Sequence, residues 1–478
     1  MVANRVRLTV LAALAMLSVF TLCAGVAVAA LMPARLALWQ VPRVAAVRFA
    51  APAAVLTPSV SSGTLPTRQG LASELAPLIA SRSLGPQVGV AVTDLASGNV
   101  LFARAAGAPA TPASSAKLAT AVAALSVLGP AARFTTHVAH GPAAGSIVLV
   151  GGGDPTLAAG RVPASDYPQP ATLASLARQT ARWLHARGQR SVRLSYDVSL
   201  FTGPLMAPGW TTSYVTTGNV TPITALEVDQ GRLTRSGKPE DADNPVNFRP
   251  RSFTPAADAA ASFASFLRAR GIRVHGRVTT ATAPAGAATI ARVRSPALSA
   301  IVGWMLRESN NVIAEDLARQ VALRTGRPAS FAGAAAAVTA AAARLGIRRG
   351  IHLVDGSGLS PRDRITPLAL ARLVRLAGGR QAALRAAITG MPVAGFSGTL
   401  APGQSVFGNF GPAALGTVRA KTGNLTRVVS LAGIVSDTDG RLLAFAFMAD
   451  RLPRGQLVHA AGVIDAMATV LAGCGCRS

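Results

Sequence analysis

Cysteine is scarce in this chain of 478 residues, which contains three: Cys23, Cys474 and Cys476. There is no Cys-x-x-Cys pair, and the six histidines show no His-Glu-x-x-His motif. Zinc sites and redox-active dithiols depend on such spacings. The sequence therefore predicts no metal and no cofactor. A disulfide between Cys474 and Cys476 would close a very tight ring, so a loosely held tail is the favoured interpretation.

Acidic residues are also few, because 20 Asp and Glu stand against 47 Lys and Arg and leave a formal net charge of +27. Such a positive charge favours binding to nucleic acid or to another anionic partner. The arginines, however, are scattered singly, with no basic block and no aromatic-basic interleaving. A specific nucleic-acid binder concentrates its basic residues on one face. We therefore predict no nucleic-acid partner.

Lysine is the rarest of the charged residues, with only Lys117, Lys238 and Lys421 among the 47 basic positions. A chain that uses arginine wherever a plain positive charge suffices keeps lysine where an amine must lose its proton. Lys238 lies in a polar stretch, residues 236–244, and is interpreted as part of an exposed loop. The other two lysines are candidates for chemistry.

An uncharged apolar run covers residues 8–32, after Arg5 and Arg7. Its length would span a bilayer, which needs about 20 apolar residues, whereas Ala27-Val28-Ala29 suits signal peptidase. Residues 1–32 are therefore interpreted as a signal peptide or membrane anchor, and the Ala/Pro-rich residues 33–67 as a linker. We expect an extracytoplasmic protein, secreted, periplasmic or on the cell-wall side, which residues 8–32 anchor if they are not cleaved.

Hydrophobic periodicity predicts helices towards both ends of the folded part and a β-rich middle, residues 136–289. This arrangement indicates an α/β or α+β body. The predicted helices cover residues 69–84, 114–128, 171–188, 255–270, 296–307, 312–324, 331–345 and 455–471. The predicted strands cover residues 87–95, 99–103, 146–150, 191–196 and 274–281, with a three-stranded meander over 418–425, 427–435 and 441–448.

Ser114 and Lys117 form the first candidate pair for chemistry, since residues three apart at the start of a helix share one face. Burial and the positive end of the helix dipole both disfavour a charged amine, so Lys117 can act as a base for the Ser114 hydroxyl. Taken alone, Ser114 fits a helix N-cap equally well.

Two shorter motifs lie further along the chain. Ser309-Asn310-Asn311 falls in the break between two predicted helices and offers a hydroxyl and an amide to a cleft, although a plain polar turn is the simpler interpretation. In Lys421-Thr422-Gly423, the glycine would let a substrate backbone approach the strand, and the other two residues offer donors to a carboxylate. Alone, this tripeptide is better explained by an exposed lysine on an edge strand.

Together the motifs occur in the order Ser-x-x-Lys, Ser-x-Asn, Lys-Thr-Gly, the signature set of penicillin-interactive serine enzymes. With Asp154-Pro155-Thr156, Asp355-Gly356-Ser357-Gly358 and Gly398-Thr399-Leu400, the chain from residue 69 to 476 resembles the D-alanyl-D-alanine carboxypeptidase/endopeptidase family, the class C low-molecular-mass penicillin-binding proteins (peptidase family S13). The long separation of Ser114 from Ser309 fits the inserted domains of this family and not the compact β-lactamases.

The resemblance implies a fold and an activity. The fold would be a β-lactamase/transpeptidase-like core with an antiparallel sheet flanked by helices, formed by residues 68–135 and 290–478, plus an inserted β-rich domain pair over residues 136–289. The activity would be that of a serine-type D,D-peptidase that hydrolyses the terminal D-Ala-D-Ala bond of peptidoglycan stem peptides through an acyl-enzyme. Cross-linked peptides are a second candidate substrate, and β-lactams would be covalent inhibitors.

The resemblance also implies roles for the catalytic residues. Ser114 would attack the carbonyl of the penultimate D-alanine, and Lys117 would take its proton. Ser309 would relay that proton to the departing amine, and Asn311 would hold the substrate amide. Lys421 would tune the local field and help to steer the terminal carboxylate.

A further set of residues would bind the substrate. Thr422 would share the carboxylate with the preceding lysine, Gly423 would line the strand, and the backbone amide of Asn424 would form an oxyanion hole with that of Ser114. Arg362 would grip the side chain of a diamino acid in a side pocket. Residues 211–224 contain no Asp or Glu, so the acidic partner that some relatives place in that pocket is missing.

Two alternatives remain open from the sequence. A β-lactamase or D-amino-acid esterase on the same scaffold would need a deacylating group, and no acidic motif for one is recognisable. A non-catalytic wall-binding protein could keep the fold without the chemistry, although the presence of all five motif side chains argues against this. The sequence does not decide between carboxypeptidase and endopeptidase preference.

Overall fold

The structure, a computed structural model, describes residues 63–233 and 249–477, together with the isolated position 16. Apart from that position, the predicted signal or anchor lies outside the described residues, as do most of the predicted linker and Lys238. Within the described ranges, no helix is both long and apolar enough to span a bilayer.

The predicted helices and strands are present in the predicted order, with boundaries within about five residues of those expected. The structure also has four strands, residues 135–140, 289–294, 351–352 and 364–365, and a helix, residues 367–378, that the sequence pattern did not predict. The longer helices of the described ranges are α1 Arg68–Ile79, α2 Lys117–Leu128, α3 Leu173–His185, α4 Pro255–Arg268, α5 Leu298–Arg307, α6 Asn311–Arg324, α7 Phe331–Arg344, α8 Pro367–Gly378 and α9 Leu457–Gly473. The strands are β1 Val88–Asp94, β2 Val100–Arg104, β3 Thr135–His140, β4 Ser146–Val150, β5 Ser191–Asp197, β6 Arg273–Thr280, β7 Thr289–Arg294, β8 Ile351–His352, β9 Arg364–Ile365, β10 Arg419–Leu425, β11 Val428–Ser436 and β12 Leu442–Ala449.

The first sheet has the strand order β10-β11-β12-β1-β2, and every neighbouring pair is antiparallel. Both of its faces are covered. Large side chains such as Val90 and Phe445 pack with α1 and α9, whereas alanines such as Ala91 and Ala446 pack with the helices of the other face. Burial on both faces explains why the central strands β11 and β12 are mostly apolar. The predicted antiparallel sheet flanked by helices is confirmed.

Helix α2 lies inside the helical cluster on the alanine face, in contact with α6 and α7. Its residues from Lys117 to Leu125 are all buried. Four of them are alanines, which bring helix axes close because they carry only a methyl group. A lysine at the start of such a helix is therefore enclosed by neighbouring elements instead of reaching solvent.

The second sheet has the order β6-β5-β4-β3-β7 and mixes directions: β4, β5 and β6 are parallel neighbours, while β3 is antiparallel to β4 and to β7. Parallel neighbours need crossover connections, and α3 and α4 provide them. This sheet has its own hydrophobic core. It extends to Arg294, beyond the predicted boundary at residue 289, and the division into an inserted domain pair stays a prediction.

The C-terminal tail differs from the expectation of a loose end. Cys474 and Cys476 are joined by a disulfide. The carbonyl of Cys476 accepts hydrogen bonds from the backbone N and from Oγ1 of Thr67, at 2.8 and 3.1 Å. Because the Thr67 side chain also caps α1 by accepting from Gly70 N, the end of the chain is tied to the start of the folded body.

Candidate active site

Ser114 lies in the 3-10 turn Ala113–Ala116, which leads directly into α2. Its side chain caps neither element, because Pro112 and Ala116 occupy the N-cap positions. Instead, Ser114 Oγ accepts a hydrogen bond from Lys117 Nζ at 2.8 Å. The N-cap interpretation of Ser114 is therefore wrong, and the predicted pairing of this hydroxyl with the amine is present in the structure.

The Lys117 amine is fully buried and has three acceptors, one from its own turn and two from distant segments. Besides Ser114 Oγ, they are Asn311 Oδ1 at 2.7 Å and the carbonyl oxygen of Ser357 at 2.8 Å. An ammonium group has three N–H donors, so every proton of a charged Lys117 has a defined direction. A neutral amine at the same place would keep two N–H bonds and direct its lone pair along the third.

Burial lowers the pKa of Lys117 to about 7, from an ordinary value of 10.5. Removing the charged amine from water is the main cause, and the negative charges of Asp355, Glu315 and Asp363 oppose it. Near neutral pH the amine is thus neutral in a substantial fraction of molecules. Such a group can accept a proton from the serine hydroxyl that it contacts.

Lys421 is also fully buried, on β10 at the edge of the first sheet. Its Nζ donates to the carbonyl oxygen of Thr422 at 2.8 Å and lies 3.3 Å from Thr422 Oγ1. Burial, followed by repulsion from Lys117, holds its pKa well below the usual range. The interpretation as an exposed edge-strand lysine is therefore wrong. A bound carboxylate would supply the negative charge that restores the ammonium form.

A glycine is needed at position 423 for a different reason from the one that the sequence suggested. A Cβ on this residue would lie 2.3 Å from Ser430 Oγ, 2.6 Å from Pro112 O and 3.0 Å from Ser115 N. The space beside the glycine is thus taken by the turn that carries the candidate nucleophile, and not left for a substrate backbone. The residue lets β10 and this turn pack in direct contact, which fixes the distance between the first and third motifs.

The three residues of the middle motif, Ser309-Asn310-Asn311, have different roles in the structure. Asn310 is the N-cap of α6, since its Oδ1 accepts from Ile313 N at 3.0 Å. Asn311 places its Oδ1 on Lys117 and donates through Nδ2 to the carbonyl of Asn219 at 2.9 Å. Ser309 is half-buried with a φ of +55°, and within the described ranges its hydroxyl has no hydrogen-bond partner. The plain-turn interpretation holds for Asn310 alone.

Two of the expected substrate-binding residues are exposed. Asn424 lies on β10 opposite Val429 of β11. Arg362 is exposed, and its side chain forms no hydrogen bond or ion pair with the part of the chain that is described. Thr422, in contrast, is buried and its Oγ1 lies 2.8 Å from Thr399 Oγ1, which brings the Gly398-Thr399-Leu400 landmark to the third motif.

Sequence reasoning missed the buried carboxylate of Glu315. Its oxygens accept hydrogen bonds from the backbone N of Gly356 at 2.9 Å and of Ser357 at 2.8 Å. The carbonyl of Ser357 in turn accepts from Lys117, so Glu315 holds the turn that holds the amine. The available signal was its position four residues after Asn311, on the same face of one helix.

Asp355 and Asp363 complete the acidic surroundings of the same turn. Asp355 accepts from the backbone N of Gly358 and of Ser360, and from the indole Nε1 of Trp210 at 2.9 Å. Burial and the adjacent Asp355 raise the pKa of Asp363 to about 10, so this carboxyl stays protonated. The described residues contain no group of three or more His, Cys, Asp or Glu side chains suited to a metal ion.

The charge of Glu315 opposes the loss of the proton from Lys117, because it raises the pKa of that amine. Glu315 also titrates near neutrality, since burial and Asp355 raise its pKa to about 7, so the two groups are linked. We expect Glu315→Gln to move the rise of β-lactam acylation rate to lower pH. Stopped-flow acylation across pH 5–9 would measure it, with Asp316→Asn as the matched control. An unshifted profile in Glu315→Gln would contradict this assignment.

Comparison with known proteins agrees with the resemblance predicted from the motifs. The sequence model of the D-Ala-D-Ala carboxypeptidase 3 (S13) family matches residues 71–248 and 233–472. Carboxypeptidase DacB of Mycolicibacterium smegmatis is 40% identical over 420 residues, which cover 87% of this chain and 86% of the relative. The D-alanyl-D-alanine carboxypeptidase of Actinomadura sp. strain R39 is 29% identical over 428 residues, which cover 75% and 77%.

The crystal structure of penicillin binding protein 4 (dacB) from Haemophilus influenzae has the same fold, with a TM-score of 0.66 and 22% identity over 82% of this chain and 98% of that one. The predicted fold class is confirmed. Because the family model spans most of the chain and a relative is 40% identical over nearly its whole length, this chain belongs to the D-Ala-D-Ala carboxypeptidase 3 (S13) family and is an enzyme of a hydrolase family.

Proposed function

We propose that this enzyme hydrolyses the terminal D-Ala-D-Ala bond of peptidoglycan stem peptides through an acyl-enzyme on Ser114. The observation that carries the proposal is the Lys117 amine, which is buried, has a pKa of about 7 and lies 2.8 Å from the Ser114 hydroxyl. A hydroxyl is a weak nucleophile until a base removes its proton.

In the proposed reaction, Ser114 Oγ forms a bond to the carbonyl carbon of the penultimate D-alanine while its proton passes to Lys117. The C–N bond then breaks, and the departing amine receives a proton by way of Ser309. Water attacks the resulting ester, gives one proton back to Ser114 Oγ through Lys117, and releases the shortened peptide. The backbone amides of Ser114 and Asn424 hold the oxyanion, and one such donor is typically worth about 2.7 to 4 kcal/mol.

Lys421 and Thr422 bind the terminal carboxylate in this proposal. Both are buried on the strand that packs against the turn carrying Ser114, and Lys421 Nζ lies 3.3 Å from Thr422 Oγ1, so the two donor groups are neighbours. Asn311, already held on Asn219 and Lys117, presents its amide to the substrate peptide. Arg362 would grip a diamino-acid side chain from an exposed position, since among the described residues its side chain makes no hydrogen bond or ion pair.

Two further features belong to the proposal. A substrate in peptidoglycan requires an extracytoplasmic enzyme, with residues 8–32 as the export signal or anchor. Because a β-lactam carries a reactive carbonyl and a carboxylate in the arrangement of the peptide end, we expect it to acylate Ser114. The Haemophilus influenzae protein has also been solved in complex with a β-lactam.

The test is to incubate the purified enzyme with penicillin, digest it, and map the mass increase by tandem mass spectrometry. We expect one penicilloyl group on the peptide that contains Ser114, and D-alanine release from a peptide ending in D-Ala-D-Ala. A well-folded protein with neither adduct nor release would favour a non-catalytic wall-binding protein. Rapid turnover of nitrocefin without D-alanine release would favour a β-lactamase.

A further inference from the structure

A cleft of about 350 Å³ lies beside the start of β10, outside the cluster around Ser114. None of the residues to which the proposed reaction assigns a role lines it. Its walls come from α5, the short helix Ala386–Thr389, the turn before Gly398 and the loop around residue 167. The residues used below are Tyr167, Trp304, Arg307, Ser397 and Arg419.

The position of the cleft along β10 relates it to the substrate. Under the proposed function, the scissile carbonyl lies near Asn424 and the terminal carboxylate near Thr422 and Lys421. Continuing in the same direction, Arg419 lies two residues further, about 7 Å at 3.3–3.4 Å per strand residue. Residues two apart share one face of a strand, so Arg419 faces the same side as Lys421. The cleft is therefore on the leaving-group side.

The cleft and the carboxylate site are built from the same two turns. Ser397 lines the cleft, and two residues later Thr399 contacts Thr422 at 2.8 Å. Arg307 lines it as well, two residues before Ser309. The two turns touch, because a Cβ on Gly398 would lie 2.3 Å from the carbonyl oxygen of Arg307. The carboxylate site and the cleft therefore share these two turns as a common wall.

The charge of the cleft indicates which class of ligand it binds. Arg419 is half-buried and, among the described residues, has no side-chain hydrogen bond or ion pair. Arg307 is paired with Glu308 at 2.8 Å, which leaves Arg419 as the uncompensated charge. Tyr167, 74% exposed, and the half-buried Trp304 add flat apolar surface. An unpaired guanidinium beside aromatic rings fits a peptide that carries a carboxylate.

We propose that this cleft is a binding subsite for the leaving group of a cross-linked substrate, in which the released D-amino acid carries an anionic peptide on its side chain. When the released residue is D-alanine, its side chain is a methyl group and ends before the cleft. In a D,D-cross-link the corresponding side chain continues into a second stem peptide with free carboxylates. This inference rests on the proposed function and names the substrate class that Arg419 selects.

The experiment compares two substrates that share one acyl donor. The first releases D-alanine, and the second releases a diamino acid whose side chain carries an acidic peptide. We expect Arg419→Gln to lower kcat/KM for the second substrate about tenfold, mainly through KM, because a charged hydrogen bond is lost. Release of D-alanine should change less than about twofold, as should both activities in the control Arg372→Gln, an exposed arginine on α8.

A version of the second substrate with its carboxylates amidated measures how much the negative charge of the leaving peptide contributes. The wild-type enzyme should prefer the acidic form, and Arg419→Gln should not discriminate. Equal losses on both substrates in Arg419→Gln, or no preference for the acidic form in the wild type, would overturn the inference. If the wild type releases D-alanine but does not cleave the second substrate, the subsite fails while the proposed function stands. If neither substrate is cleaved and penicillin does not label, the proposed function fails.

Discussion

Replacement of Lys117 by arginine should lower the rate of Ser114 acylation at pH 7 by about 10³-fold, within the range that positioned acid–base groups contribute. Arginine keeps a positive charge and hydrogen-bond donors, but its guanidinium does not deprotonate in proteins. The acceptors on Asn311 and Ser357 would then hold a permanent cation, and the serine would lose its base. Stopped-flow fluorescence with a reporter penicillin would measure the second-order rate constant.

The wild-type pH profile provides the second half of this prediction. Because the neutral amine is the active form in the proposed reaction and the pKa of Lys117 is about 7, acylation should rise as the pH increases through 7 and level off above it. The residual rate of Lys117→Arg should lack that rise. The same replacement at Lys238, which belongs to no motif, is the matched control and should leave rate and profile unchanged. A wild-type rate that is flat between pH 6 and 8 would exclude Lys117 as the base.

Replacement of Gly358 by alanine should displace the turn that carries Ser114 and lower the rate of acylation at least 100-fold. A displacement of about 1 Å produces an effect of this order. The glycine has a φ of +78°, and its Cβ would lie 1.9 Å from Ala113 O and 2.9 Å from Ala116 Cβ. Ala113 itself has a φ of +47°. The carbonyl is backbone of the turn that carries Ser114, so the turn has to move.

Gly346→Ala is the matched control for this change. Gly346 has a φ of +94°, yet no atom lies within 4 Å of the added methyl group. Both variants carry the cost of a left-handed alanine, about 1 to 2 kcal/mol. We expect Gly358→Ala, but not Gly346→Ala, to lose labelling by penicillin. The two variants are compared at temperatures equally far below their own melting temperatures. Equal labelling of the two variants would show that the contact with Ala113 is not needed to place the serine.

Much of the fold follows from local pattern. Strands such as Leu442–Ala449 are apolar without interruption because both faces of the sheet are covered, and helices such as Leu173–His185 begin at a side-chain cap, here Thr172. These signals lie within a few residues of each other, so they are visible in the sequence. The mixed direction of the second sheet is not, since it depends on which strands meet after α3 and α4 cross over.

The candidate site shows the same division. Ser114 and Lys117 are neighbours on one turn, and their contact follows from spacing. The carbonyl of Ser357 and the carboxylate of Glu315 were missed because a backbone oxygen has no residue type and a buried acid is defined by its neighbours. The expectation that Gly423 permits a close approach is correct, but the neighbour is the turn that carries Ser114 and not a substrate. The sequence does not show that Pro112 and Ser115 lie against this glycine.

The pairing of β1 with β12 in the middle of the first sheet has a consequence for folding. β1 can pair with β2 as soon as both are made, but its other neighbour, β12, is synthesised only after nearly the whole polypeptide, since β10, β11 and β12 are the last strands made. Pairings of such long sequence separation form slowly. Until β12 is made, the first sheet lacks the strand that joins its two halves, and β10 is not held against the turn that carries Ser114. Penicillin labelling of pulse-chased chains should therefore appear only after the C-terminal strands have been synthesised.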